Sequence, residues 1–333
     1  MTQKDIPNCF LPVTQLSEKL EKGGLSSLEL IEEYLESIRK HDRNLGAFID
    51  VYGEEARKAA SASDMARASG HIIGPLQGIP VAVKDIIDIE GKITTGGSMV
   101  WKDRRSNLTA TLVRRMIEAG MIVLGKTHTV EFAMGSFGTN QHMGSPKNPW
   151  DLEEHRATGG SSAGTAAAVA AGLTPWGIGT DTGGSVRIPS AWCGLTGLKT
   201  SVGRISTHGV LPLSHTLDTP GPMCRSVEDA AILYRILAGP DEQDSRTLIH
   251  SVEDPFSELR KGISGFKLAR VSDSELENVD SENLKAYENS LKQLEKLGPS
   301  IHRIELPNSF AEMGAPCGTD HRFRGIFLRR EIH

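Results

Sequence analysis

Residues 158–190 read TGGSSAGTAAAVAAGLTPWGIGTDTGGSVRIPS. Two glycine–serine clusters, one ending in Ser161-Ser162 and the other in Ser185, bracket a run made almost wholly of Ala, Gly and Val. Side chains this small hardly separate a backbone from its neighbours, so the run predicts a helix packed tightly on several sides. A flexible Gly/Ser linker does not contain AAAVAAG followed by WGIG. Nor do the glycines form a phosphate cradle. Gly159 to Gly164 has the Walker spacing, but Thr165 stands where the lysine belongs. In Gly177-Ile178-Gly179, Thr182 occupies the place of the third dinucleotide-binding glycine.

The serines then have to be explained as chemistry. Gly160-Ser161-Ser162-Ala163-Gly164 formally matches the nucleophile elbow GxSxG, which requires a buried strand just before it. The preceding DLEEHRAT is polar and charged, and nothing marks His208, His215, His250 or His302 as the base of a Ser-His-Asp triad. A serine hydroxyl needs a neighbour to take its proton, and a lysine does this when burial or a nearby cation keeps its amine neutral. Val81-Ala82-Val83-Lys84-Asp85 supplies one: Lys84 closes an apolar strand, an odd station for a charge unless it snorkels to solvent.

Around this centre the chain patterns as α/β. Ser26 and Glu29 form a capping box, and Leu28, Ile31, Leu35 and Ile38 follow at helical spacing. GAFIDVY (46–52) alternates like a short strand, 53–69 reads as a helix, and VAVKDIIDIE (81–90) as strand or extended chain. A helix over 108–120 ends at Gly120 and runs at once into the apolar strand MIVLGK, the step expected of α/β architecture. Another capped helix covers 226–239. Strand 266–272, helix 281–297 and strand 300–307 make a further β-α-β unit.

The 333 residues are 38% hydrophobic and 24% charged with a net charge of −5, which offers no basic field for nucleic acid or an anionic membrane. Cys9, Cys193, Cys224 and Cys317 are scattered, without the spacing of a zinc site or a disulfide framework. The opening MTQKDIPNCF has no apolar signal region, and no apolar run approaches the ~20 residues needed to span a bilayer. A cytoplasmic protein without metal or cofactor is expected, acting on a small molecule, with a homodimer allowed.

The stretch GGSSAGTAAAVAAGLTPWGIGTDTGGSVRIPSAWCGLTGLKTSVGRIS, together with GIPVAVKDIID and HTVEFAMGSFGTN…GSPKNPWD, resembles the amidase signature family from about residue 10 to 245. The resemblance implies a central mixed β-sheet surrounded by α-helices. It also implies amide hydrolysis through an acyl-serine, with Ser185 as nucleophile, Ser161 as a bridging serine behind a non-prolyl cis peptide bond, and Lys84 as base. Thr182, Gly183 and Gly184 would supply backbone N–H groups to the oxyanion. Ser162 would support the network, Asp181 and Arg187 would pair to hold the nucleophile turn, and Met134, Gly135 and Ser136 would line the substrate pocket. The family also includes the glutaminase (A) subunit of tRNA-dependent amidotransferases, which passes ammonia to a partner.

GLKTS (197–201) departs slightly from the family's GLKPT. Family members also continue well beyond this length, and residues 308–333 do not resemble their later part. The expectation is one amidase domain over 1–307 that lacks part of the C-terminal region, followed by a divergent tail left by truncation or frameshift. An inactive homologue is then a further reading.

Overall fold

The computed structural model describes residues 6–249, 251 and 254–309. The tail expected from 308, Cys317 and His250 therefore lie wholly or almost wholly outside the described residues. The chain groups into two compact units, one holding described residues up to 251 and the other 254–309.

In the first unit, α1 (Val13–Glu21) precedes α2 (Ser27–Leu45). The capping box forms as the sequence requires: the Ser26 hydroxyl accepts from the Glu29 N–H, and the Glu29 carboxylate accepts from the Ser26 N–H. Helix α2 buries Leu30, Ile31, Tyr34, Leu35 and Ile38, while Leu28 is only half-buried. Next come β1 (Phe48–Val51), α3 (Gly53–Ala68), β2 (Pro80–Lys84), α4 (Thr111–Glu118) and β3 (Ile122–Thr127). They are followed by α5 (Ala163–Ala170), β4 (Trp176–Asp181), α6 (Arg187–Trp192), β5 (Thr196–Gly197), β6 (Thr219–Cys224) and α7 (Val227–Leu237).

The six strands form one mixed sheet in the order β1-β3-β2-β4-β6-β5. Strand β2 lies at its middle, parallel to both β3 and β4, with Lys84 level with Thr127. The outer pairings, β1 with β3, β4 with β6, and β5 with β6, are antiparallel. Every residue of β2, β4 and β6 is buried. Sheet and helices thus enclose the middle of the sheet from both faces, as parallel strands require.

The extended segment expected over 81–90 is shorter than its apolar pattern suggests. Beyond Lys84 the chain turns, and the N–H groups of Ile86 and Ile87 both donate to the Lys84 carbonyl at 2.9 and 3.0 Å. That turn leaves Lys84 as the last residue of a central strand.

Helix α5 is the Ala/Gly run. All its residues but Ala170 are buried, and it packs on β1, β2, β3, β4 and β6. A β-carbon added at Gly164 would lie 2.2 Å from the Ala47 carbonyl oxygen and 2.3 Å from the His128 nitrogen. The smallness of the run is the condition for so close an approach.

The second unit is the β-α-β element. Strands β7 (Lys267–Val271) and β8 (Ser300–Ile304) pair in parallel, joined through α8 (Ser281–Lys296). The Asp280 carboxylate caps α8 by accepting from the N–H groups of Glu282 and Asn283.

Candidate active site

Lys84 is fully buried, and its Nζ donates to the Ser161 hydroxyl at 2.7 Å and to Thr180 Oγ1 at 2.9 Å. Burial pulls its pKa down to about 7, against the opposing pull of the Asp218 and Asp181 carboxylates. Lys84 forms no salt bridge among the described residues. Both of its partners are hydroxyls, which can donate as well as accept, so a neutral amine is satisfied in this position.

Ser161 is also fully buried. The Gly160–Ser161 peptide bond is cis. The turn that carries Ser161 is sewn down on several sides. The Ser161 carbonyl accepts from the Val130 N–H at 3.2 Å and the Thr129 hydroxyl at 3.1 Å, and the Gly160 N–H donates to the Ser136 carbonyl at 2.7 Å. The Ser162 hydroxyl is bound to the backbone of β4, lying 3.3 Å from both the carbonyl and the N–H of Thr180.

Ser185 lies on the turn between β4 and α6, and 9% of it is accessible. Its carbonyl accepts from the Ser162 N–H at 3.3 Å, which ties the two serine clusters directly to each other. Among the described residues no hydrogen bond joins the Ser161 and Ser185 hydroxyls. Neither His208 nor His215 bonds to any of these serines among the described residues.

Asp181 organises the turn that carries Ser185. Its carboxylate accepts from the N–H groups of Gly184, Val186 and Arg187 at 2.8, 3.1 and 3.3 Å. Arg187 clasps it with Nε and Nη2, each at 3.0 Å. Burial alone would raise the pKa of Asp181; the Arg187 fork and the turn N–H groups outweigh it and hold the carboxyl below its ordinary value. One of the three candidate oxyanion donors, Gly184 N–H, is thereby engaged by Asp181. The N–H groups of Gly183 and Ser185 meet no acceptor among the described residues.

Met134, Gly135 and Ser136 form an exposed segment tied to the Gly160 turn by the Ser136 carbonyl. Just before them, Phe132 and Ala133 take positive φ values of 49° and 60°. Phe137, next in sequence, packs edge-on against Trp192 with ring centroids 5.8 Å apart.

Sequence reasoning missed two residues of this centre. Thr180, the second partner of Lys84, alternates with Asp181 in GTDTGG and gives no signal of its own. Asp218, whose Oδ1 accepts from the Thr182 hydroxyl at 2.5 Å, sits in SHTLD, where no pattern singles it out. Among the described residues no cluster of three or more His, Cys, Asp or Glu could hold a metal ion. No helix among them is long and apolar enough to cross a membrane.

A buried lysine at the middle of a mixed α/β sheet, bonded to the serine of a Gly-Gly-Ser-Ser turn, defines a class of amide-processing proteins. The Amidase family model matches residues 29–313, and the chain belongs to that family, the amidase signature enzymes. It is 41% identical over 297 residues to the A subunit of the glutamyl-tRNA(Gln) amidotransferase of Chromohalobacter salexigens, covering 89% of this chain and 60% of that relative. The chain therefore spans about three fifths of the length of such curated relatives. The peptide amidase of Stenotrophomonas maltophilia superposes with a TM-score of 0.84 at 35% identity, over 91% of this chain and 64% of that one. The corresponding amidotransferase A subunit of Thermotoga maritima does so with 0.82 at 34%, over 98% and 70%.

Proposed function

We propose that this chain carries the acyl-transfer centre of an amidase, which cleaves a carboxylic amide through an acyl-serine. The observation that carries the reading is the contact between the Lys84 amine, buried without a salt bridge, and the Ser161 hydroxyl at 2.7 Å. In the forward step the Ser185 oxygen attacks the amide carbonyl carbon. The Ser185 proton passes to the Ser161 oxygen as the Ser161 proton passes to Lys84 Nζ. The carbonyl oxygen becomes an oxyanion held by the Gly183 and Ser185 N–H groups; one such donor is typically worth ~2.7–4 kcal/mol of barrier. When the tetrahedral intermediate collapses, the carbon–nitrogen bond breaks, and the proton returns from Lys84 through Ser161 to the leaving nitrogen. Ammonia or an amine departs. Water then attacks the acyl-serine with Lys84 and Ser161 again taking its proton; the bond from the acyl carbon to the Ser185 oxygen breaks, that proton returns through Ser161 to Ser185, and the acid is released.

Met134, Gly135 and Ser136 would face the acyl group, and Ser162 would hold the turn through β4. The reaction calls on no metal or cofactor, and a small-molecule substrate and a cytoplasmic setting belong to the same reading. The relatives named as amidotransferase A subunits favour a second reading, in which the amide is that of glutamine and the ammonia goes to a partner protein. Turnover of simple amides by the isolated chain supports the free hydrolase, whereas glutamine turnover only with an added partner supports the second.

The test common to both is mass spectrometry after exposure to a fluorophosphonate. Label on Ser185 that disappears in Lys84→Ala supports the centre. An unlabelled Ser185 in the folded wild-type chain, or equal labelling without Lys84, removes it.

A further inference from the structure

Asp218 has no place in the chemistry just described, yet it touches the nucleophile turn. It is buried at 7% exposure and lies between β5 and β6 in sequence, directly before Thr219. Its Oδ1 accepts from the Thr182 hydroxyl at 2.5 Å, and its Oδ2 accepts from the N–H groups of Leu213 and Ser214 at 2.8 and 3.0 Å. No cation pairs with it among the described residues. This contrasts with Asp181, three residues before Gly184, whose charge is closed by the Arg187 fork.

We propose that Asp218 is a positioning residue of the amide-cleaving centre: it anchors Thr182, the residue that begins the Thr182–Ser185 turn, and sets a carboxylate without a cation partner beside the end of the strand that holds Thr180, the partner of Lys84. The proposal rests on the Lys84–Ser161–Ser185 reading. The first function follows from geometry. Of the turn's residues, Gly184 is held through its N–H by Asp181 and Thr182 through its hydroxyl by Asp218, so Gly183 lies between two residues anchored by carboxylates and Ser185 follows directly on the second.

The second function follows from the surroundings of Lys84. Strand β4 brings Asp181, which is paired with Arg187 and also opposes burial at Lys84. Helix α5 brings no charge. Strand β3 brings Lys126, which is bound to Asp85, and runs on into His128, whose pKa burial holds down. On the far side of Asp218, a cleft of about 440 Å³ brings His208, His215, Asp244 and Arg246; Arg246 is closed on Asp244, with Nε 2.9 Å from Oδ1. Strand β6 pairs Thr219 with Asp181 of β4, which sets Asp218 beside Thr182, two residues along from Thr180, the partner of Lys84; there Asp218, unpaired with any cation among the described residues, opposes the effect of burial on Lys84 together with Asp181.

The experiment is the rate of fluorophosphonate labelling of Ser185 against pH, for the wild type, Asp218→Asn and Thr182→Val, with circular dichroism as the control for folding. The wild-type rate rises with pH as Lys84 loses its proton. Asp218→Asn removes the charge, so the midpoint of that rise moves to lower pH by about half a unit or more. Thr182→Val keeps the charge and loses the anchor, so the high-pH plateau falls about fivefold or more while the midpoint stays. A folded Asp218→Asn with an unmoved midpoint overturns the proposal, and so does a Thr182→Val plateau equal to wild type. Should Asp218→Asn not fold, the Thr182→Val plateau decides by itself. A wild-type Ser185 that takes no label at any pH instead brings down the underlying catalytic reading.

Discussion

Replacing Lys84 by methionine is expected to abolish the chemistry and yet stabilise the fold, in a manner that depends on pH. Methionine nearly matches lysine in volume, so packing around β2 is conserved. The lysine has an ordinary pKa of 10.5 and is held at about 7 in the fold. That difference corresponds to a cost of ~5 kcal/mol for keeping the amine buried. The penalty is complete below pH 7, where the folded site and the unfolded chain are both protonated and the buried charge counts in full against the fold. Between about 7 and 10.5 the unfolded state binds more protons than the native one, so wild-type stability climbs with pH.

Methionine removes the penalty and also the hydrogen bonds to Ser161 and Thr180, at ~1 kcal/mol each. The variant should therefore exceed wild type by ~3 kcal/mol at pH 6, and the gap should close near pH ~9. Urea denaturation across pH ~6 to ~10 reads this directly from the midpoints, while Ser185 labelling at pH ~8 should fall by roughly 100-fold or more. A gap that does not change with pH, or a variant weaker than wild type at the acid end, would refute the assignment of Lys84 as a neutral buried amine.

Lys126→Met should act in the opposite sense: it leaves the Asp85 carboxylate buried without its partner and should cost ~3–5 kcal/mol, measured by the same denaturation. Gly164→Ala would normally gain stability inside a helix, but here its β-carbon meets the backbone of Ala47 and His128, neither of which can swing away. A loss of ~2 kcal/mol or more is expected, and a neutral or stabilised Gly164→Ala would show that α5 is looser than its contacts imply.

Much of the first unit was legible because local chemistry and final structure agree. The Ser26–Glu29 box and the helix-to-strand step through Gly120 into β3 form where residue pattern places them, as does the β7-α8-β8 element of the second unit. Strand β6 was not legible. Its sequence, TPGPMC, puts Pro220 and Pro222 in a buried strand, a pattern that argues against one. The sheet accommodates them by orientation. The Pro222 carbonyl accepts from Leu198 and that of Pro220 from the Thr200 hydroxyl, so both prolines turn their bonding side toward β5. Strand β5 supplies only two residues, and the absent N–H groups fall where the ladder is ending. Asp218 escaped for a related reason: what makes it matter is a contact with Thr182 across 36 residues of chain, which no spacing rule captures.

The same limit explains why Lys84 and not Lys126 belongs to the candidate chemistry, although both are lysines at or near the ends of neighbouring central strands and both are fully buried. Burial pulls down the pKa of each. Lys126 Nζ meets the Asp85 carboxylate at 3.3 Å, the Ile87 carbonyl at 2.6 Å and Thr94 Oγ1 at 2.8 Å, a set with a charge and a carbonyl that can only accept. Such a set suits three donated hydrogens, and the ammonium stays. Lys84 meets two hydroxyls and no salt-bridging carboxylate, a set that also suits an amine with a lone pair to offer. In the ladder Lys126 is level with Val83, the residue before Lys84, so the two amines leave the sheet on opposite faces. That offset separates the two sets of partners, because it decides which loop the amine reaches. Sequence pattern shows that a lysine ends an apolar strand; only the partners brought in by the neighbouring turns decide whether it keeps its proton.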